Sequence, residues 1–304
     1  EPRVNYDRIM LSPILSGEKA YEDTIIHGDE WYTRHGVTLH KGKKVTGIDR
    51  EAKRVTAEDG TVADYDKLII ATGSRPFVVG VPGHDLPGVL TFRDFDDVNN
   101  MLDAARNKGR AVVIGGGLLG LEAAAGLKLQ GMEVTILHLM PTLMERQLDE
   151  SAGHMLRQTI EERGIKVITK ANTDMILGTD RVEGVRLDDG TEIPADIVVM
   201  AIGIRPNADL GGNAGLMAGR GIVVNDAMET TDPDIYAIGE CAEHRGLCYG
   251  LVAPLYEMAE VVAGQLTGAD RRYTGSATST RLKVTGVDLF SAGEFADGPE
   301  FEEI

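Results

Sequence analysis

Apolar residues in this chain fall in short runs that stop at glycine or proline, alternating with stretches of helical spacing. Ala111–Ile114 is one such run, and it breaks at Gly115-Gly116-Gly117. A mostly apolar segment then runs from Leu118 to Gln130 and closes at Gly131, which predicts a helix. Glu133–His138 predicts the next strand. Leu148–Arg163 places Ala152, Met155, Leu156 and Ile160 at helical spacing, so these four are expected to face the core, with Gly164 as the stop. Ile165–Ile168 predicts a third strand. Strand and helix alternating in this order predict a parallel sheet with helices on its faces.

Two further apolar runs belong to a repeat. Residues 59–76 read DGTVADYDKLIIATGSRP and residues 189–206 read DGTEIPADIVVMAIGIRP, aligned without a gap at an offset of 189 − 59 = 130. The identical pairs include Asp59/Asp189, Gly60/Gly190, Thr61/Thr191, Gly73/Gly203 and Pro76/Pro206. Asp-Gly signals a hairpin turn. The runs Leu68–Ala71 and Ile197–Ile202 are expected to be strands buried on both faces. Gly73 and Gly203 beyond them let backbone approach a ligand closely. A period of 130 residues is far longer than the roughly 20–50 of a solenoid, so it predicts one domain present twice. In the first copy Asp29–His35 corresponds to the end of the second helix, Gly36 to its stop and Val37–His40 to the third strand. The glycine loop of that copy is expected to lie before Glu1.

Composition narrows the partners. The net charge of −17 disfavours nucleic acid and anionic membrane, which need a basic face. Helix N-termini can still bind a dinucleotide phosphate without net positive charge. The chain has two cysteines, Cys241 and Cys248, too few for a disulfide scaffold, so a cytoplasmic setting is expected. They stand seven apart with no Cys-x-x-Cys, and are expected to be inert. Neither a membrane span nor a metal-ligand spacing is present in the sequence.

Gly115-x-Gly117-Leu118-Leu119-Gly120 follows a strand and opens a helix, the context in which this pattern binds a dinucleotide pyrophosphate. His138 stands where an acid usually holds the adenosine ribose, and no Asp or Glu follows it before Glu145. Two readings are open: tolerance of a 2′-phosphate, hence of NADPH alongside NADH, or a solvated strand-end histidine. Thr230–Cys241 combines a turn, the apolar run Ile235–Ile238 and an acidic end, Gly239-Glu240.

Glu1-Pro2-Arg3-Val4-Asn5-Tyr6-Asp7-Arg8 followed by Leu11-Ser12 resembles the ferredoxin-reductase-like flavoproteins with two dinucleotide-binding domains. The resemblance implies FAD contacts from Glu1, Arg8, Val45, Ala71, Thr72, Gly73, Gly239 and Glu240. The lysine that commonly follows Leu-Ser is Pro13 here, and the acid usually written Asp is Glu240. More narrowly, Leu118–Ala124, Leu143–Asp149, Gly239–Cys241, Gly250–Pro254 and Ser279–Asp288 resemble the large subunits of NAD(P)H-dependent assimilatory nitrite reductases. That family passes electrons from NAD(P)H through FAD to iron–sulfur and sirohaem centres, which the resemblance puts beyond Ile304, with a small subunit as a further partner. Glu122 is the implied catalytic residue, positioning the nicotinamide carboxamide; the competing reading is a solvated helix carboxylate.

The fold class implied is α/β. Two Rossmann-like domains, each a three-layer parallel sheet plus a β meander, are expected, the second inserted in the first, with a truncated C-terminal interface domain. The expected boundaries are 1–107 for an N-terminally truncated FAD-binding domain, 108–225 for the NAD(P)-binding domain, 226–270 for the returning FAD segment and 271–304 for the interface domain. The rival functions are a stand-alone ferredoxin or rubredoxin reductase, and a non-catalytic flavin-binding redox sensor on the same fold.

Overall fold

The structure is a computed structural model, and it describes residues 1–277, 279–284 and 287–293. The remainder of the expected interface domain, including 294–304, lies outside the described residues. The chain divides into two compact units. The first unit is built from Glu1–Tyr6, Ile26–Arg75 and Ile204–Thr278, and the second from Asp7–Ile25, Pro76–Gly203 and Ser279–Ile304.

In chain order the elements that matter are α1 (Leu11–Ser16), α2 (Asp29–Arg34), β1 (Val45–Asp49), β2 (Arg54–Ala57), β3 (Val62–Asp64), β4 (Leu68–Ile70), β5 (Val89–Thr91) and α3 (Phe95–Ala105). Then follow β6 (Arg110–Ile114), α4 (Leu118–Leu129), β7 (Glu133–His138), α5 (Glu150–Glu162) and β8 (Lys166–Thr169). The meander β9 (Thr173–Leu177), β10 (Gly184–Leu187) and β11 (Glu192–Pro194) leads to β12 (Ile197–Met200). The first unit closes with β13 (Ile222–Val224), β14 (Ile235–Ala237), β15 (Ala242–His244) and α6 (Val252–Leu266).

The second unit is a five-stranded parallel sheet in the order β8-β7-β6-β12-β5. Ala111–Ile114 and all four residues of β12 are buried, as strands covered on both faces must be. Helix α4 is apolar around most of its circumference because it is enclosed: Leu121, Ala123, Ala124 and Leu127 are all fully buried. Asp149 caps α5, its side chain accepting from the Ala152 N–H at 2.7 Å. The inward face of α5 is Gly153, Leu156 and Ile160. Met155, expected inside, is 69% exposed, because it lies off the stripe that Leu156 and Ile160 make one turn apart.

The first unit repeats the meander. Strand β1 pairs with β2 through Val45↔Ala57, then slips by one residue before Gly47↔Thr56. Strand β9 pairs with β10 through Thr173↔Leu187, then slips in the same place before Met175↔Arg186. Both Asp-Gly turns have the same wiring: Asp59 accepts from Thr61 N–H, and Asp189 from Thr191 N–H. The shared slip is a bulge in the same register position, which two unrelated hairpins would have no reason to share.

The compact units group several segments across the expected boundaries, the start of the expected interface domain, 271–278, among them. Residues 7–25 and 76–107 group with the second unit, and 204–225 with the first. Two of these groupings follow strand pairing: β5 is the outer strand of the five-stranded sheet, beside β12, and β13 pairs in parallel with β15. Residues 7–25 join the second unit because α1 packs against α4. Residues 37–40, expected to be a third strand, form no regular strand; Val37 and Leu39 are 45% and 36% exposed. A strand needs a neighbouring ladder, and none is present beside this segment among the described residues.

Candidate functional site

The glycine loop of the second unit is shaped by close approaches. Gly115 has φ +120°, and a Cβ there would meet the Ala201 carbonyl oxygen at 2.2 Å, where β12 ends. A Cβ on Gly120 would meet the Gly115 carbonyl oxygen at 2.0 Å, so the first turn of α4 rests directly on the loop. Gly117 is different: nothing lies within 4 Å of an added Cβ. It is the N-cap of α4 and brings no side chain to bond the helix N–H groups that follow, Leu118 and Leu119 among them. Positive helix-end potential therefore meets open space, an arrangement suited to a diphosphate.

His138 ends β7 beside this loop. It is buried, 7% exposed, so the reading of a solvated strand-end histidine fails. Its Nδ1 accepts from the Gly116 N–H at 3.0 Å, and its Nε2 lies 3.0 Å from Glu145 Oε2. That bond holds the Glu145 carboxyl below the ordinary range. Glu145 carries no motif of its own in the sequence, because it sits seven residues past the strand end, in a loop.

Glu122 lies one turn into α4 and is 6% exposed, which excludes the reading of a solvated carboxylate. Its carboxylate accepts from the Ser12 hydroxyl on α1 and from the Lys283 N–H at 3.1 Å. Burial pushes its pKa up, while the Ser12 bond and the Lys283 charge pull the other way. A cleft of about 500 Å³ opens beside it, lined by Ser12, Pro13, Arg281, Lys283 and Asp288 among others. Arg8, also in this unit, donates from Nη1 to the Arg93 carbonyl at 3.0 Å.

The first unit gathers a second group of the expected residues. Gly239 follows β14 with φ +81° and nothing within 4 Å of an added Cβ. Glu240 is buried, and its Oε2 accepts from the Ser74 hydroxyl at 2.9 Å. Thr72 and Gly73 are clamped by Asn207: Thr72 Oγ1 donates to the Asn207 carbonyl at 2.8 Å, and Asn207 Nδ2 donates to the Thr72 carbonyl at 2.9 Å. The Asn207 N–H adds a bond to the Gly73 carbonyl at 2.9 Å. Ala71 and Val45 are exposed, and the Glu1 carbonyl accepts from the Gly42 N–H at 2.8 Å. Ser74 and Asn207 carried no sequence signal of their own; each sits beside a repeated residue, after Gly73 and after Pro206. Gly203, the repeat partner of Gly73, has φ +111° and nothing within 4 Å of an added Cβ.

Both thiols are free, Cys241 buried and Cys248 half-buried. Cys241 is fully buried with Sγ against the Ile238 and Ile70 carbonyls at 3.2 and 3.5 Å, and burial pushes its pKa up. Among the described residues no cluster of His, Cys, Asp and Glu could hold a metal, and no helix is long and apolar enough to cross a membrane.

One nucleotide-binding sheet with an open glycine loop, and a duplicate of its meander and adjoining strand in the same chain, define a two-dinucleotide-domain oxidoreductase. Residues 1–263 match the pyridine nucleotide-disulphide oxidoreductase family, and the chain belongs to that family. It is 50% identical to a nitrite reductase [NAD(P)H] of Bacillus subtilis over 100% of this chain, and spans 38% of that relative's length. It is 33% identical to an NADH-rubredoxin oxidoreductase of Clostridium acetobutylicum, covering 97% of this chain and 74% of the relative. Among solved structures, the ferredoxin reductase for the CYP199A2 system of Rhodopseudomonas palustris superposes with a TM-score of 0.89 at 30% identity, over 94% of this chain and 72% of that one.

Proposed function

We propose that this chain is the FAD- and NAD(P)H-binding portion of an NAD(P)H-dependent nitrite reductase. The observation that carries the reading is the open face of Gly117 at the start of α4, in a complete parallel sheet, joined to 50% identity with a nitrite reductase over the whole chain. The remaining part of such a protein would hold the iron–sulfur and sirohaem centres that reduce nitrite to ammonia, and a small subunit would be its partner.

In the second unit Gly115, Gly117 and Gly120 shape the loop, and the N–H groups of Leu118 and Leu119 face the dinucleotide diphosphate. Glu122 presents its carboxylate to the nicotinamide carboxamide, held in place by Ser12 and the Lys283 N–H. In the first unit Glu240, oriented by Ser74, accepts from the flavin ribityl hydroxyls, and Gly239 leaves room for the flavin phosphate. Thr72 and Gly73 form a wall that Asn207 fixes, and Glu1 and Val45 serve the adenosine end. The flavin, when bound, takes a hydride from NAD(P)H and releases the electrons singly.

The test uses the intact protein. Anaerobic addition of NADH or NADPH should bleach a bound flavin, and nitrite should then sustain continued oxidation of the nucleotide. Flavin bleaching without nitrite-dependent turnover, but with turnover on rubredoxin or ferredoxin, would favour the alternative that the rubredoxin reductase relative supports. A flavin that neither nucleotide reduces would overturn both.

A further inference from the structure

We infer that Glu145, carried to the end of β7 by His138, selects the adenosine ribose of the dinucleotide and turns away a 2′-phosphate. The inference rests on the reading of the second unit as nicotinamide-dinucleotide-binding and deepens it. It runs against one of the two readings the sequence left open, in which a histidine in place of the strand-end acid tolerates NADPH.

Hydrogen-bond bookkeeping fixes the chemistry. The Gly116 N–H points at His138 Nδ1, 3.0 Å away, so that nitrogen must present its lone pair. The ring proton then sits on Nε2, and Nε2–H donates to Glu145 Oε2 at 3.0 Å. His138 has its acceptor on the phosphate loop and its donor on Glu145, leaving neither for a ribose hydroxyl. The group offered to the ligand at this strand end is therefore a carboxylate, displaced outward by one imidazole.

The loop bearing Glu145 is tied to the same glycine. The Met144 N–H donates to the Gly116 carbonyl at 3.0 Å, and the Gln147 N–H to the Met144 carbonyl at 2.8 Å. Leu143 and Met144 are fully buried, and Leu143 packs over Gly116, where an added Cβ would meet its Cδ2 at 2.5 Å. Both the N–H and the carbonyl of Gly116 are thus engaged, one by His138 and one by the loop that carries Glu145. The Glu145 side chain keeps 30% of its surface exposed, so its carboxylate is not sealed off from a ligand. A carboxylate there accepts from the ribose 2′-hydroxyl and repels a 2′-phosphate. Arg146 is the exposed neighbour of opposite sign, and the experiment must separate its pull from the push of Glu145.

The probes are ADP-ribose and 2′-phospho-ADP-ribose, titrated calorimetrically into the intact protein, so that binding is read without hydride transfer. Wild type should bind ADP-ribose at least about tenfold more tightly. Glu145→Gln should narrow that gap about tenfold, chiefly by gaining the phosphorylated ligand. His138→Asn should narrow it as well, because Glu145 loses its anchor, whereas Glu145→Asp should keep the preference. The kcat/KM ratio for NADH over NADPH should move in parallel. Equal or tighter binding of the phosphorylated ligand by wild type, as a dominant Arg146 would give, overturns the inference, and so does a gap that Glu145→Gln leaves unchanged. Binding of neither ligand overturns the dinucleotide-binding reading itself.

Discussion

Ile69 and Val199 hold the same place in two copies of one strand, yet Ile69 is 41% exposed and Val199 is fully buried. On one side the two strands are wired alike: Leu68↔Ile235 and Ile69↔Tyr236 in the first copy, Val198↔Val89 and Val199↔Leu90 in the second. On the other side β12 has β6, through Val199↔Val113, whereas β4 has only β14 among the described residues. Burial of this position is set by the second neighbour and the layer it brings, not by the sequence of the strand itself.

That contrast gives the first prediction. Val199→Thr puts a hydroxyl into a fully buried site and should cost about 1–3 kcal/mol. Ile69→Thr should change stability by no more than about 0.5 kcal/mol, as a surface substitution does. Denaturant unfolding of the two variants of this 304-residue chain decides it; equal losses would mean that Ile69 is covered in solution.

The glycine loop should separate folding from binding. Gly120→Ala drives a Cβ into the Gly115 carbonyl at 2.0 Å, and overpacking of that kind costs about 1–3 kcal/mol. Gly117→Ala meets nothing within 4 Å, so its stability should fall by no more than about 1 kcal/mol, the loss of a favourable N-cap residue. On the proposed reading its methyl would enter the space left for the diphosphate, and dinucleotide affinity should drop roughly tenfold. Melting curves and ADP-ribose titration should place the two variants in opposite classes. Unchanged affinity in Gly117→Ala would move the diphosphate elsewhere.

Much of this fold was legible beforehand, for a physical reason in each case. The 130-residue repeat survives as a shared meander because Asp-Gly turns and buried runs constrain backbone strongly. The glycine loop was legible because Gly115 and Gly120 are required by approaches under 3 Å that no side chain tolerates. What escaped was long-range pairing. The grouping of β5 with β12 depends on a strand more than 100 residues distant, and no local pattern announces it. Met155 was misplaced because helical spacing fixes a stripe only to within a residue or so. Glu145, Asn207 and Ser74 escaped because each acts through a neighbour, His138, Thr72 and Glu240, and carries no motif.

Neither cysteine should carry electrons. Burial pushes both thiols up, Cys241 within the first unit's core and Cys248 at its half-buried margin, so neither is a ready thiolate at neutral pH. The double substitution Cys241→Ser, Cys248→Ser in the intact protein should keep NADH-dependent dye reduction within about twofold of wild type. A collapse of flavin reduction with the fold intact would restore a redox role to one of them.

Glu122 should trade stability for function. Burial raises its folded pKa above the ordinary carboxyl value, so the folded state holds the proton more tightly than the unfolded chain does. Stability from this group is therefore complete below the ordinary carboxyl pKa, about 4.3, and is lost as pH rises through the raised value. Glu122→Gln removes the charge while keeping one oxygen for the Lys283 N–H and an amide for Ser12. The variant should melt higher than wild type at neutral pH, and the difference should shrink as pH falls toward about 4, where the native carboxyl is protonated in both states. If the carboxylate positions the nicotinamide carboxamide, the same variant should reduce flavin by NADH roughly tenfold more slowly, the loss of one charge-assisted hydrogen bond. Melting curves at two pH values and stopped-flow flavin reduction read the two effects separately. A variant that is stabilised but fully active would leave Glu122 as a buried structural carboxylate and return the nicotinamide contact to another residue of the cleft.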